Sequence, residues 1–163
     1  MRAENEVVAT YNVNPVVSDD DAIIAHALDI LHRRMAQPGE CLNAPSVVKN
    51  YLTIKLAELE HEVFSCIWVD SQNRVITYEE MFRGTLSQTS VYPREVVKRA
   101  LALNASGLIA AHNHPSGCAD PSQADRWLTD PLKAALGLVD VRVLDHIIVA
   151  GVQTVSFAER GWI

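Results

Sequence analysis

Alternating apolar and polar stretches divide the chain into predicted helices and strands. Between 18 and 34 apolar residues recur every three or four positions, which predicts a helix with Ser18 and acidic residues at its start. The same spacing predicts a second helix from 44 to 59. Proline favours the first position of a helix, so a third is predicted from 93 to about 104. Residues 1–17 show no clear period and are expected to form an arm or an edge strand.

Nearly continuous apolar runs predict the strands. The run that begins at Glu62 is typical of a strand covered on both faces, and a turn over 70–73 joins it to a second strand from 74 to 78. Strand, helix and strand then alternate along the second half, which implies crossover connections and helices packed on a sheet. Its predicted elements are strand 107–111, helix 122–138, strand 141–149 and a final strand 154–157.

Composition fits one α/β domain with a mixed sheet. The chain has 163 residues, of which 48% are hydrophobic, enough for a sizeable core. Lysine and arginine number 14 against 20 acidic residues, giving a formal net charge of −6. This balance argues against a broad phosphate-binding surface. A local basic patch at Arg94, Lys98 and Arg99 is the exception, and a solvated helix face explains it more simply.

The cysteines and the apolar stretches set the expected compartment. Cys41, Cys66 and Cys118 are odd in number and lack CxxC spacing, which indicates neither a disulfide framework nor a thiol-only zinc site. The chain does not open with a basic segment and an apolar run, and its apolar stretches are too short to cross a bilayer. We therefore expect a soluble cytoplasmic protein.

Two histidines and an aspartate carry the strongest chemical signal. His112 and His114 follow an apolar strand with i, i+2 spacing, which lets both imidazoles project from one side while Asn113 points elsewhere. Asp125 comes after ten intervening residues, in the first turn of a predicted helix. Three such ligands leave a fourth zinc position for water, as in catalytic zinc sites. The alternative for Ser122-x-x-Asp125 is an ordinary capping box.

The pattern resembles the JAMM motif of JAB/MPN metalloproteases, and neighbouring motifs resemble the RadC family, some of whose members are labelled DNA repair proteins. Those motifs are His112 to Gly117, Pro93 to Glu95, Leu144 to Val149 and Ser156 to Gly161. The resemblance implies a three-layer, cytidine-deaminase-like fold. Full-length members carry a helix-hairpin-helix-like region, and residues 1–37 contain no matching hairpin. The chain therefore resembles the short form, with an N-terminal arm and helix over 1–43 and the JAB/MPN domain over 44–163.

The resemblance also implies a mechanism and its residues. One zinc ion per chain, held by His112, His114 and Asp125, would activate a water for amide or isopeptide hydrolysis. Glu62 matches the general base that takes the water's proton, although a solvated glutamate is the ordinary alternative. The resemblance further requires a donor for the tetrahedral oxyanion, and Ser122 is the candidate. Its hydroxyl cannot easily cap the helix as well.

Other candidates near the motif are weaker. A Cys118 thiolate at the metal would close the open position. His146 is expected to be a buried imidazole with a backbone or carboxylate partner, and contact with the site's ligands is the alternative. His26, His32 and His61 are expected to be structural or solvated.

Three function classes follow from these residues. The leading one is a zinc-dependent amidase or isopeptidase acting on a protein, a peptide or a small amide. The second is a DNA-repair or nucleic-acid-processing factor, which the acidic balance disfavours, and the third is a non-catalytic MPN scaffold. Zinc content separates enzyme from scaffold, and DNA affinity at physiological salt separates enzyme from repair factor. The sequence identifies neither a particular substrate nor an oligomeric state.

Overall fold

A computed structural model describes residues 18–37, 45–85 and 90–163, which form four helices and five strands. Residues 1–17, for which an arm or edge strand is predicted, lie outside these ranges. In chain order the elements are α1 (Asp19–Met35), α2 (Pro45–Leu56), β1 (Val63–Val69), β2 (Val75–Arg83), α3 (Pro93–Ala102), β3 (Gly107–Asn113), α4 (Gln123–Gly137), β4 (Arg142–Ala150) and β5 (Gln153–Ser156). No helix in the described ranges is both long and apolar enough to span a membrane.

The five strands form one mixed sheet in the order β2-β1-β3-β4-β5. β1 pairs antiparallel with β2 and β3, β4 pairs antiparallel with β5, and only β3 and β4 are parallel. A parallel pair needs a crossover, and α4 provides it. The predicted turn after β1 forms a hairpin in which Asn73 has a φ of 57°, a conformation that asparagine tolerates better than most residues.

Two layers of helices cover the sheet and make the predicted three-layer arrangement. Alternate residues of β1 face opposite layers: Val63, Ile67 and Val69 pack with α1 and α2, whereas Phe64, Cys66 and Trp68 pack with α3 and α4. All seven residues of β1 and all seven of β3 are buried. The continuous apolar runs therefore mark central strands of the sheet, as predicted.

Two element ends differ from the prediction by three residues or more. α2 ends at Leu56 rather than at residue 59, and the chain turns there through a hydrogen bond from the Leu59 amide to the Leu56 carbonyl. β2 continues past Tyr78 to Arg83. The extension contains charged residues, which an edge strand tolerates. Glu79, for example, accepts hydrogen bonds from Trp68 Nε1 and Arg99 Nε.

Gly107 opens β3 and pairs with Val69, the last residue of β1. A Cβ atom there would lie 2.8 Å from Val69 Cγ2 and 3.1 Å from Leu144 Cδ1. Val69 is fully buried and β-branched, so it has little freedom to move away. We expect Gly107→Ala to lower the free energy of unfolding by about 1–3 kcal/mol, the usual cost of overpacking. Denaturant unfolding would measure it.

Gly137→Ala is the matched control for that measurement. Gly137 is the last residue of α4, and a Cβ there would meet nothing within 4 Å. Alanine also favours helix, so this variant should be neutral or slightly more stable. Equal unfolding free energies for Gly107→Ala and the unmodified protein would show that the strand contact is looser than described.

Candidate metal centre

The end of β3 places two histidines side by side on the sheet face that carries α3 and α4. His112 is the penultimate residue of β3 and is 2% exposed. His114 follows the strand, but its amide still donates to the Val149 carbonyl at 2.8 Å, which continues the pairing with β4. The Nε2 atoms of the two imidazoles are 3.0 Å apart. The i, i+2 spacing thus brings both side chains to one point.

Asp125 reaches the same point from the first turn of α4. Its carboxylate Oδ1 lies 3.1 Å from His112 Nε2, and Oδ2 lies 3.6 Å from His114 Nε2. Among the described residues, His112, His114 and Asp125 are the one group of three whose ligand atoms all lie within 4.8 Å of one another. Zn–N bonds of about 2.0–2.1 Å in a tetrahedron put ligand atoms about 3.3 Å apart. The three side chains therefore fit a zinc ion.

A capping box orients the Asp125 carboxylate. Oδ2 accepts hydrogen bonds from the Ser122 amide at 2.6 Å and the Ser122 hydroxyl at 2.7 Å, and that hydroxyl accepts from the Asp125 amide at 3.2 Å. With Oδ2 held by the cap, Oδ1 is directed at His112. The cap and the ligand were alternatives in the sequence, but the geometry accommodates both.

The capping box also uses the Ser122 hydroxyl, which is the group predicted to donate a hydrogen bond to the oxyanion. The Ser122 hydroxyl has one hydrogen, and that hydrogen is directed at Asp125 Oδ2. Donation to a reacting oxygen would require it to turn away from the carboxylate. The oxyanion role of Ser122 thus remains a prediction, with this rearrangement as its physical requirement.

A backbone carbonyl orients His114. Its Nδ1 lies 2.7 Å from the Cys118 carbonyl oxygen, which can only accept, so the hydrogen is on Nδ1. In the neutral ring Nε2 then carries a lone pair directed toward Asp125 and His112. The Cys118 thiol is exposed and is not part of the ligand group. The loop thus uses the backbone of Cys118 rather than its sulfur.

His146 lies directly behind His112. Its Nε2 is 2.8 Å from His112 Nδ1, and its Nδ1 is 2.7 Å from the Thr129 hydroxyl. The ring is fully buried. The predicted backbone or carboxylate partner is wrong, because the partners are an imidazole and a hydroxyl. The alternative, contact with a candidate ligand, is what the structure has, since the imidazole is that of His112. Thr129 carried no signal in the sequence, since a threonine inside a predicted helix is ordinary.

Glu62 comes immediately before β1, near the end of β3. It stands two residues before Phe64, which pairs with His112 in β3. Its backbone continues the pairing with the β2 side, donating to the Thr85 carbonyl at 2.8 Å and accepting from the Gly84 amide at 2.8 Å. The charge of Glu62 contributes to raising the pKa of His114. The general-base role remains a prediction that this placement suits.

Asn113 holds the segment that carries Glu62. Its side-chain oxygen accepts from the Val63 amide at 2.8 Å, and its amide nitrogen donates to the carbonyls of Leu59 and His61 at 3.2 and 3.0 Å. These three hydrogen bonds tie residues 59–63, the segment that leads into β1, to the end of β3. Sequence reasoning placed Asn113 on the other side of the strand but assigned it no role. Its position between two histidines was the available signal.

Electrostatics favour a cation at this site. The hydrogen bond with Asp125 raises the pKa of His114 despite its partial burial, and the Cys118 carbonyl adds to the effect. Burial alone would raise the pKa of Asp125, but the contacts with His112 and His114 and the hydrogen bond from Ser122 together bring it below its ordinary value. Burial lowers the pKa of His146 well below its usual range, and nearby His112 adds to the shift. A carboxylate thus lies among imidazoles, and the part of the chain that the structure describes brings no lysine or arginine into an ion pair with it.

The remaining candidates lie away from this centre. His26 and His32 are on α1, and His61 Nδ1 is 3.4 Å from Arg83 Nη2. The basic residues of α3 are paired with acids: Lys98 bonds Glu95 at 2.8 Å, and Arg99 forms an ion pair with Glu79. Arg94, the third basic residue of this helix, is exposed and its Nε lies 3.9 Å from Glu95.

Comparison with known proteins agrees with this geometry. A family model described as a RadC-like JAB domain matches residues 42–162. The chain belongs to the RadC-like JAB domain family. UPF0758 proteins of Thiobacillus denitrificans and Leptothrix cholodnii are 55% and 62% identical to it over 86% and 88% of the chain. Another from Vibrio cholerae is 52% identical over 88% of the chain and 90% of its own length.

The family resemblance inferred from the motifs is thereby confirmed. The chain spans 64% of the length of the Thiobacillus and Leptothrix relatives. The names of these relatives state no activity.

The raised pKa of His114 predicts a pH effect on the metal-free protein. The proton on His114 is held more tightly in the folded chain, so its stabilisation is fully present below about 6.5, the pKa of an unfolded histidine. That stabilisation is lost as pH rises through the raised folded value. With a chelator present, the unfolding temperature should fall more steeply above about pH 6.5 in the unmodified protein than in His114→Gln. Equal slopes in the two proteins would contradict the assignment.

Proposed function

We propose that this RadC-like domain is a zinc-dependent hydrolase that cleaves a peptide, isopeptide or related amide bond. The observation that carries the proposal is the convergence of His112, His114 and Asp125 at separations of 3.0 to 3.6 Å, with Glu62 near enough for its charge to act on His114. The family supports a JAMM-like hydrolase fold. A non-catalytic scaffold would not require these side chains to stay together.

The donor set suits catalytic rather than structural zinc. It offers two imidazole nitrogens and one carboxylate, and the described residues place no cysteine sulfur in the group. Zinc held by three such ligands supplies a strongly acidified water and polarises a carbonyl. The chain contributes the rest: it holds the ligands rigid and sets Glu62 where a carboxylate can accept a proton and return it to a leaving amine.

The surface around the centre offers room for an extended substrate. One cleft of about 550 Å³ is lined by His114, Pro115, Ser116 and the 57–60 segment. A second of about 630 Å³ lies on the other side of the loop, between Cys118 and β5, and includes Arg160. Both volumes lie in the range of clefts that bind drug-sized ligands, so either cleft could take a small amide or a short peptide segment.

Zinc content tests the first requirement. We expect close to one zinc ion per chain after mild purification and zinc resupply, because the described residues form one group suited to a metal. Native mass spectrometry would count the ions. A protein that takes up no transition metal, or one that holds two ions tightly, would overturn the single catalytic site.

Glu62→Gln tests the proton-transfer role. The amide is nearly isosteric and Glu62 is outside the ligand group, so the variant should keep its zinc and its fold. Hydrolysis should fall by roughly 10²- to 10⁴-fold, the usual contribution of a general base. A substrate can be found by comparing the unmodified protein with Glu62→Gln on a cellular lysate and identifying fragments or amines that only the former releases.

Ligand variants provide the contrast. Asp125→Asn and His114→Ala each remove one of three ligands, so they should lose both zinc and activity. If Glu62→Gln released zinc as readily as His114→Ala, or kept the full rate on a confirmed substrate, Glu62 would not be the base. Since Asp125 also caps α4, circular dichroism should accompany each metal measurement.

A further inference from the structure

We infer that Thr129 and His146 are positioning residues that fix the tautomer of His112, so that its Nε2 lone pair faces the metal centre. The inference deepens the proposed function and rests on it, because it assigns His112 as a metal ligand. Neither residue reaches the centre. They act through a chain of hydrogen bonds that begins at the backbone of Asp125 and ends at His112.

The first link sets the direction of the chain. Thr129 Oγ1 lies 2.8 Å from the Asp125 carbonyl oxygen and 2.7 Å from His146 Nδ1. A carbonyl cannot donate, so the single hydroxyl hydrogen of Thr129 goes to it. The hydroxyl oxygen must therefore accept from His146, which places a hydrogen on His146 Nδ1.

The second link passes this constraint to the ligand. His146 is fully buried, and among the described residues its side-chain hydrogen-bond partners are Thr129 and His112, neither of which is a carboxylate that could balance a cationic ring. In the neutral His146 ring, Nε2 then carries a lone pair and no hydrogen. His112 Nδ1 is 2.8 Å away and must donate to it, which leaves His112 Nε2 without a hydrogen.

Two bare nitrogens then face each other at the centre. The Cys118 carbonyl gives His114 the same Nδ1–H arrangement, and the two Nε2 atoms are 3.0 Å apart beside the Asp125 carboxylate. Three electron-rich atoms at these separations repel unless a cation or a proton lies among them. With the other tautomer of His112, a hydrogen would occupy the direction in which a metal must bind.

The chain of bonds also couples two ligands. It starts on the backbone of Asp125 and ends on the ring of His112, so it runs from α4 through β4 to β3. Thr129 Oγ1 and both His146 nitrogens each have a partner along it. Replacing either side chain therefore removes a constraint on His112 without removing a ligand.

Thr129→Val is the informative variant. Valine keeps the shape but removes the acceptor for His146 Nδ1–H, so His146 is free to carry its hydrogen on Nε2 and drive His112 into the unsuitable tautomer. We expect zinc affinity to fall about 10- to 100-fold, the usual effect of losing a hydrogen-bond partner of a ligand. Competition with a chromophoric chelator would measure it. Thr129→Ser, which keeps the hydroxyl, should stay near the unmodified value.

A matched control and a direct readout complete the design. Thr53→Val makes the same change inside α2, whose core cluster lies on the opposite face of the sheet, and should leave zinc affinity unchanged. Long-range ¹H–¹⁵N NMR of the histidine rings reports tautomers directly. In the metal-free unmodified protein it should show hydrogens on Nδ1 of His112 and His146.

The outcomes separate this inference from the proposed function. A hydrogen on His112 Nε2 in the neutral ring of the unmodified protein, or a folded Thr129→Val with unchanged zinc affinity, would overturn the inference while leaving the zinc site intact. A protein that binds no zinc would instead overturn the proposed function, and the ring NMR would still decide the tautomer. If Thr129→Val fails to fold, the unmodified protein and Thr129→Ser provide that test.

Discussion

The burial of β3 is the constraint on which the candidate site depends. β3 is the middle strand of five, and every residue in it is buried, including His112 and Asn113 at its end. A polar side chain in such a position is costly unless it is hydrogen-bonded. The fold meets this requirement on both faces of the sheet. Each polar group at the strand end has defined partners, and those partners make the arrangement rigid.

The capping box of α4 shows how one side chain serves two purposes. An acidic residue in the first turn of a helix is stabilised by the exposed amides and by the helix dipole. Asp125 uses Oδ2 for the cap, and this leaves Oδ1 to face His112. The same hydrogen bonds therefore stabilise the start of the helix and set the direction of the carboxylate. A cap found in a sequence does not argue against a ligand.

Local pattern predicted most of the fold and the ligand group, because both depend on spacing. The run from Glu62 marked a strand buried on both faces, and the i, i+2 histidines followed from strand alternation. What the pattern could not supply were contacts between segments far apart in the chain. Thr129, His146 and Asn113 take their roles from such contacts, and each looks ordinary in its own segment. The end of β2 was missed for another reason: an edge strand tolerates the charges that usually mark a strand's end.

Alternation of side chains along β3 links the proposed metal binding to the proposed proton transfer. His112 and His114 face α4, and Asn113 faces the opposite way, where it holds the segment that carries Glu62. A shift of one residue in the register would send the imidazoles to the wrong layer and bring Asn113 to the ligand side. It would also release the segment before β1. Two of the three proposed ligands, and the segment that carries the proposed base, are therefore positioned by three consecutive residues at the end of β3, and a displacement of that strand end would disturb both.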